Sequence, residues 1–309
     1  MSFPRAPGTT DMGSTAMQYI PELWANKLLV KYYDSTVLSV ITNTQYEGMI
    51  SKHGDTVHIR QRPDMIIRDY VKGQTLVNEQ PEAASVDLLI DQGKYWSFVT
   101  EDIDVKQTDI KNFVDEWTTD AAEQLKINID TDVLGDIPAD VHASNQGLTA
   151  GVKTSSFNLG VAGTPLGLTK ANILDYIVDC GTVLDEQNVP ENGRFFIMPP
   201  WANNLIKKSD LKDASLAGDS VSIMRNGLIG MIDRFKLYNS NLLDGNTTDG
   251  VSMLFGHDDA TTFATQLTNS KVLDNPNGFG MLHRGLQVFG YEVVKPEALG
   301  VLLGAKAAV

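Results

Sequence analysis

Cysteine is nearly missing: Cys180 is the single one in 309 residues. A lone thiol excludes an intrachain disulfide and any zinc site built on several cysteines. Its neighbours Ile177, Val178, Val183 and Leu184 predict a small buried side chain and not a nucleophile. Cations are scarce as well, with 25 Lys and Arg against 39 Asp and Glu and a formal net charge of -14. Binding to a nucleic-acid backbone needs clustered positive charge, so the balance argues against a general nucleic-acid binder. No stretch approaches the roughly 18 apolar residues that cross a bilayer. The opening MSFPRAPGTTDMGSTAM has no apolar signal core. The expectation is a chain made and kept in a reducing cytoplasm, with no membrane partner.

The patterns of catalysis are missing too. Five histidines, His53, His58, His142, His257 and His283, show no metal-ligand spacing. His257 beside Asp258 and Asp259 comes nearest to a ligand set, but the two aspartates more simply start a helix running through Phe263 and Leu267. Asp244, Asn246 and Asp249 match a calcium loop only in part, because its glycine is misplaced and its last position is Phe255. No G-x-S-x-G elbow, no Walker motif and no G-x-G-x-x-G after a strand occurs. The carboxylate pairs Glu101 with Asp102 and Asp130 with Asp132 fall at a strand end and on a helix surface, where solvation explains them. Trp24, Trp96, Trp117 and Trp201 sit on apolar stripes and read as core. The sequence predicts no catalytic, cofactor-binding or metal-binding residue, and a cytosolic acidic enzyme is the weakest of the readings considered.

What is present is an ordinary globular composition, 42% hydrophobic and 21% charged. The length calls for one large domain or two joined ones. Residues 1 to about 18 are rich in Gly, Pro, Ser and Thr, an arm without periodicity. From Ile20 to Ile41 the spacing turns helical. Residues 48 to 103 alternate: Val57 and Ile59 with His58 and Arg60, then Val86, Leu88 and Ile90 with Asp87 and Asp91. Asp91-Gln92-Gly93 signals a turn, and Tyr95 to Thr100 resumes the β pattern. Long strands with so little apolar surface are marginal alone, so the segment must lie on something else.

The strongest helical stripe follows, with Ile110, Phe113, Val114, Trp117, Ala121, Leu125 and Ile129 three or four apart. A helix from about 109 to 134 would be roughly 39 Å long, a strut more than a domain element. A second helix opens at Thr169, Phe195 to Met198 is a short buried strand, and Trp201 to Lys208 a third helix. The whole reads as α+β with an extended β protrusion.

One stretch, from Arg225 to Leu243 (RNGLIGMIDRFKLYNSNLL), resembles tailed-phage major capsid proteins of the Hong Kong 97-type fold. Gly227, Leu228 or Ile229, Gly230, Phe235, Tyr238, Ser240 and Asn241 fit a pattern common there, while Arg234 stands where glycine is frequent. Val189 to Pro200 looks like the family's helix, turn and strand, Phe263 to Gln266 like its post-loop helix, and Arg284 to Leu299 like its closing strand pair. The resemblance implies a non-catalytic coat subunit divided into an arm and first helix (1–47), an extended β loop (48–103), a spine helix of the peripheral domain (104–138), a mainly axial domain (139–284) and closing strands (285–309). It implies pentamers and hexamers of itself, a portal and a decoration protein, a virion capsid assembled in the host cytoplasm, and double-stranded DNA enclosed without specific binding. No long charged helical segment precedes Ile20, so a separate scaffolding protein is expected. The alternative on the same fold is an encapsulin-like cellular shell.

Overall fold

The computed structural model describes residues 33–46, 56–63, 65–107, 113–209, 230–246 and 250–307. A single turn of helix, α1 (Leu38–Ile41), precedes the strands β1 (Thr56–Arg60) and β2 (Ser85–Leu89). Strand β3 (Gln92–Glu101) leads through the short α2 (Asp102–Gln107) to the long helix α3 (Phe113–Asp136). Next come β4 (Leu166–Leu168), α4 (Ile173–Glu186), β5 (Arg194–Met198) and α5 (Pro200–Lys207). The hairpin β6 (Met231–Ile232) and β7 (Phe235–Asn239), the two-residue β8 (Gly245–Asn246) and β9 (Gly250–His257) follow. The long strands β10 (Thr261–Asp274) and β11 (Gly280–Val293) and the last strand β12 (Leu299–Lys306) complete the described chain.

Three sheets result among the described residues. The largest has the order β4-β12-β9-β5-β7-β6, with β8 beside β9. Its central strand β5 is buried at all five positions, with β7 and β9 paired to its two edges. Phe196, Phe235 and Phe255 meet there at centroid distances of 5.8, 5.9 and 6.2 Å, edge-to-face or stacked, the geometry ring quadrupoles favour. Helix α4 adds a stripe of Ile173, Ile177, Cys180 and Leu184, one residue per turn on one face. The second sheet, β10-β11-β3, is a long antiparallel ribbon backed by α3. The third is the β1-β2 pair, packed on a small cluster of Ile59, Leu88, Ile90, Ala264 and Val294.

Helix α3 ends where Gly135 and Pro138 suggest: its last residue is Asp136, and a 3-10 turn, Ile137–Asp140, follows. At 24 residues it is about 36 Å long.

Several expectations are corrected. The aspartates after His257 do not start a helix. Asp258 and Asp259 form a tight turn, and Phe263 through Leu267 belong to β10. Thr261, Thr262, Phe263 and Thr265, β-branched or aromatic, prefer a pleated surface, and β11 supplies the pairing partner. The helix expected over Ile20 to Ile41 is one turn in its described part, since Tyr33 to Val37 is not helical; residues 20–32 lie outside the described residues. Asp91-Gln92-Gly93 makes no hairpin: β2 pairs with β1, whereas β3 pairs with β11. Residues 61–63 and 65–84, expected as strand, form no ladder. The closing strands β11 and β12 lie in different sheets, separated by a 3-10 turn at Pro296–Ala298.

Candidate assembly surfaces

The segment between β1 and β2 is the least self-sufficient part of the molecule. Every residue from Met65 to Ser85 is exposed, among them seven large apolar side chains, with Ile67 at 92% and Tyr70 at 69%. Its conformation is held by polar stitches. Arg68 donates to Glu79 at 2.7 Å and to the Val77 carbonyl at 3.1 Å, and the Ile66 amide donates to Glu79 at 3.3 Å. Exposed ion pairs of this kind contribute under about 1 kcal/mol each. Burying the seven apolar groups would contribute of the order of 10 kcal/mol. The driving force therefore favours covering this surface.

Residues 33–46 are tied down at successive points. The Tyr33 hydroxyl donates to Asp120 on α3 at 2.9 Å, and Ser35 donates to the Asn239 carbonyl at 3.2 Å. The amides of Val37 and Leu38 both donate to Asp130 on α3, at 2.6 and 3.2 Å, which caps α1 from outside its own segment. Asn43 then bonds to the β10 backbone in both directions at 3.0 Å. Asp130 is thus buried and structural, not the solvated helix-surface carboxylate expected from its pairing with Asp132. Asp132 does lie at the surface, ion-paired to Lys94. Burial pushes the Asp130 carboxyl above the usual carboxylate range, although the two amides oppose the shift. A folded state that keeps its proton to higher pH loses stability from this group as pH rises through that interval, and is level above it. Acid therefore does not loosen this clamp. Asp130→Ala is expected to cost about 2 kcal/mol in urea unfolding and to expose residues 33–46 to protease. A loss below about 0.5 kcal/mol would mean that the packing of Val37, Leu38 and Ile41 holds the segment unaided.

Helix α3 is fastened to the ribbon by aromatic rings. Trp96 stacks on Phe98 at 5.6 Å, Phe98 on His283 at 5.0 Å, and Trp117 sits edge-on to Phe98 at 5.8 Å and to Phe113 at 5.0 Å. Trp96 and Trp201 are partly buried as expected, but Trp117 is 45% exposed. Trp24 and His53 lie outside the described residues.

Of the recognised stretch, residues 225–229 lie outside the described residues, and the rest forms β6, β7 and the chain after them. Where glycine is common, Asp233 and Arg234 both take positive φ, 44° and 67°, as a two-residue hairpin turn requires. Arg234 offsets that strain by pairing with Asp185 at 2.8 Å and Glu191 at 2.9 Å. Asp185 also receives Arg194 at 2.6 Å. Partial burial works against ionisation of Asp185, but the hydrogen bonds from Arg194 and Arg234 hold its carboxyl below the usual range. Arg194 is fully buried and donates further to the carbonyls of Pro190, Gly181 and Val189. Nothing in the local sequence pattern marks it as interior.

The groups weighed for chemistry are dispersed. Cys180 is buried, and burial pushes its thiol well above the usual range, the opposite of an activated nucleophile. His58 pairs with Asp87 across β1 and β2 at 2.5 Å. His142 accepts from the Ser144 amide at 3.2 Å, and His283 meets the Thr100 hydroxyl at 3.2 Å. The ligand atoms of His257, Asp258 and Asp259 come within 4.8 Å of one another. They already serve the β9–β10 turn: the Asp259 amide donates to His257 Nδ1 at 3.1 Å, and Lys295 stands 3.8 Å from Asp259. Asp244 accepts from the Gly245 amide next to it at 2.8 Å, and Asp249 lies outside the described residues. Glu101 and Asp102 mark the end of β3 and the start of α2.

No protein-family model matches the sequence, and no curated relative does. Solved structures do match. A chain of Mycobacterium phage Che8 is 27% identical, with a TM-score of 0.76 over 92% of this chain and 96% of that one. A chain from the capsid structure of the cyanophage P-SCSP1u has a TM-score of 0.71 at 12% identity, over 94% of each. The capsid of a native GTA particle gives 0.61 at 13% identity, over 93% of this chain and 96% of that one. The last two likenesses establish the fold; the first adds sequence identity over almost the whole chain. The chain therefore has the fold of these phage capsid structures, the Hong Kong 97-type fold expected from its sequence.

Proposed function

We propose that copies of this chain close into the pentamers and hexamers of an icosahedral shell around a double-stranded DNA genome, assembled in the bacterial cytoplasm. The observation that carries this is the stretch from Met65 to Ser85, wholly exposed in a lone subunit together with its seven large apolar side chains. Individually weak contacts of such a segment add up when symmetry repeats them around a closed shell. In that arrangement the segments 1–47, 48–103, 104–138, 139–284 and 285–309 act as arm, extended loop, spine, axial domain and closing strands. A separate scaffolding protein sets the size, a portal occupies one vertex, and a decoration protein binds outside. The excess of 39 acidic over 25 basic residues suits a wall that must not hold packaged DNA.

Electron microscopy of the chain expressed alone and with the scaffolding protein of its phage tests the reading. Closed shells of one size are expected only with the scaffold. Uniform shells from the chain alone would remove the scaffold from the proposal, and capsomers or particles from neither would remove the shell. Tight, salt-sensitive DNA binding by the purified subunit would overturn the account of its charge.

A further inference from the structure

The β10-β11-β3 ribbon has a second face, turned away from α3. Phe98 points to Trp117 on the helix, so by the two-residue period of a strand Tyr95, Ser97 and Val99 point the other way. On that outer face Lys271 and Arg284 are direct cross-strand partners, both exposed, and among the described residues neither makes an ion pair. Like charges placed opposite each other destabilise a sheet. Here they do so on a chain otherwise dominated by acid. The pair sits in a groove lined by Tyr95, Ser97, Asn269, Lys271, Arg284 and Leu286, and Tyr95 is 77% exposed. The groove is thus basic at its centre and apolar at its rim.

The complementary surface lies at the end of the same ribbon. Helix α2 has no buried residue, starts with Asp102 and Asp104 directly after Glu101, and exposes Ile103 and Val105. The Asp102 amide donates to the Phe279 carbonyl at 3.3 Å, which places this acidic turn beside a phenylalanine 89% exposed at the β10–β11 tip. The acidic turn cannot reach the groove of its own copy. Ser97 is paired with Arg284, and the strand from Ser97 to Asp102 holds the two places about 17 Å apart.

We infer that the acidic α2 turn of one copy docks in the Lys271–Arg284 groove of a second copy. The two patches differ, so the contact is head-to-tail and propagates around a ring. It rests on the shell reading and adds to it a charge-complementary pair of surfaces.

Charge reversal tests the contact in the full chain, under conditions in which the unaltered chain forms particles. Lys271→Glu with Arg284→Glu, and separately Asp102→Lys with Asp104→Lys, should each lower particle yield about tenfold or more, while the melting temperature of the free subunit holds. All four substitutions together should recover most of the yield. Asp102→Asn with Asp104→Asn, which keeps the helix start polar, should give a smaller loss and guards against a folding defect. Either reversal assembling at full yield, or the fourfold variant staying as poor as its parents, would overturn the inference. Absence of particles from the unaltered chain would strike the shell reading first, and is recognised because no substitution is involved.

Discussion

Excising residues 64–84 is expected to leave a subunit that melts within about 2 °C of the full chain and forms no particles. The first half follows from burial. Every described residue removed is exposed, and the ion pair Arg68–Glu79 leaves as a unit. The cut joins ends that lie side by side, because Arg60 and Ser85 are cross-strand partners and Gln61 to Pro63 remain as a three-residue link. The second half follows from the apolar surface the tip takes with it. Size-exclusion chromatography and electron microscopy read the assembly, and a thermal melt reads the fold. Normal particles from the shortened chain would remove the protrusion from the assembly mechanism.

Asp185→Ala is the point change expected to damage the fold most, by about 3 kcal/mol or more, a drop of roughly 5 °C or more in the melting temperature. It strands the Arg194 guanidinium, fully buried, with carbonyl acceptors but no counter-charge, and releases Arg234 from the turn it steadies. Removing the cation instead, by Arg194→Met, should cost less. Asp185 is 41% exposed and keeps Arg234, so the chief loss is donors to three carbonyls. The order of the two variants is the test: equal losses would mean that packing around β5, and not charge, sets the stability there. The folded carboxyl of Asp185 is held below its unfolded value, so its contribution is present above the usual carboxylate range and is lost as pH falls through the folded value. The wild type should therefore converge on the Asp185→Ala variant in acid.

What could be read from the sequence depended on how local each signal was. Helix α3 announces itself through its stripe and its Gly135–Pro138 exit, and β5 through four apolar residues stopped by two prolines. The same reasoning mistook the Asp258–Asp259 turn for a helix start, because acids in a first turn look alike until the pairing of β10 with β11 is known. Asp130 was beyond local pattern, because the amide that makes its burial tolerable belongs to Val37, 93 residues away. Arg194 has its acceptors close by, at Val189 and Pro190, but they lie in a turn that carries no periodic signal. The segment 48–103 is marked as needing a partner by how little apolar surface its strands carry, which is a statement about partners that one chain can make.

The passage from β2 to β3 has a mechanical consequence. Only Ile90 and Asp91 separate the two strands, and at Gly290 the chain passes so close that a Cβ would lie 2.1 Å from the Leu89 carbonyl. The protrusion therefore has no slack joint at its root. A tug on its tip loads a nearly continuous line of backbone from Ser85 to Glu101, which is laced to β11 from Gln92 onward and braced by the rings beneath α3. In the proposed shell, a pull between neighbours would therefore pass along this line into the ribbon and α3 and would not be taken up at a hinge.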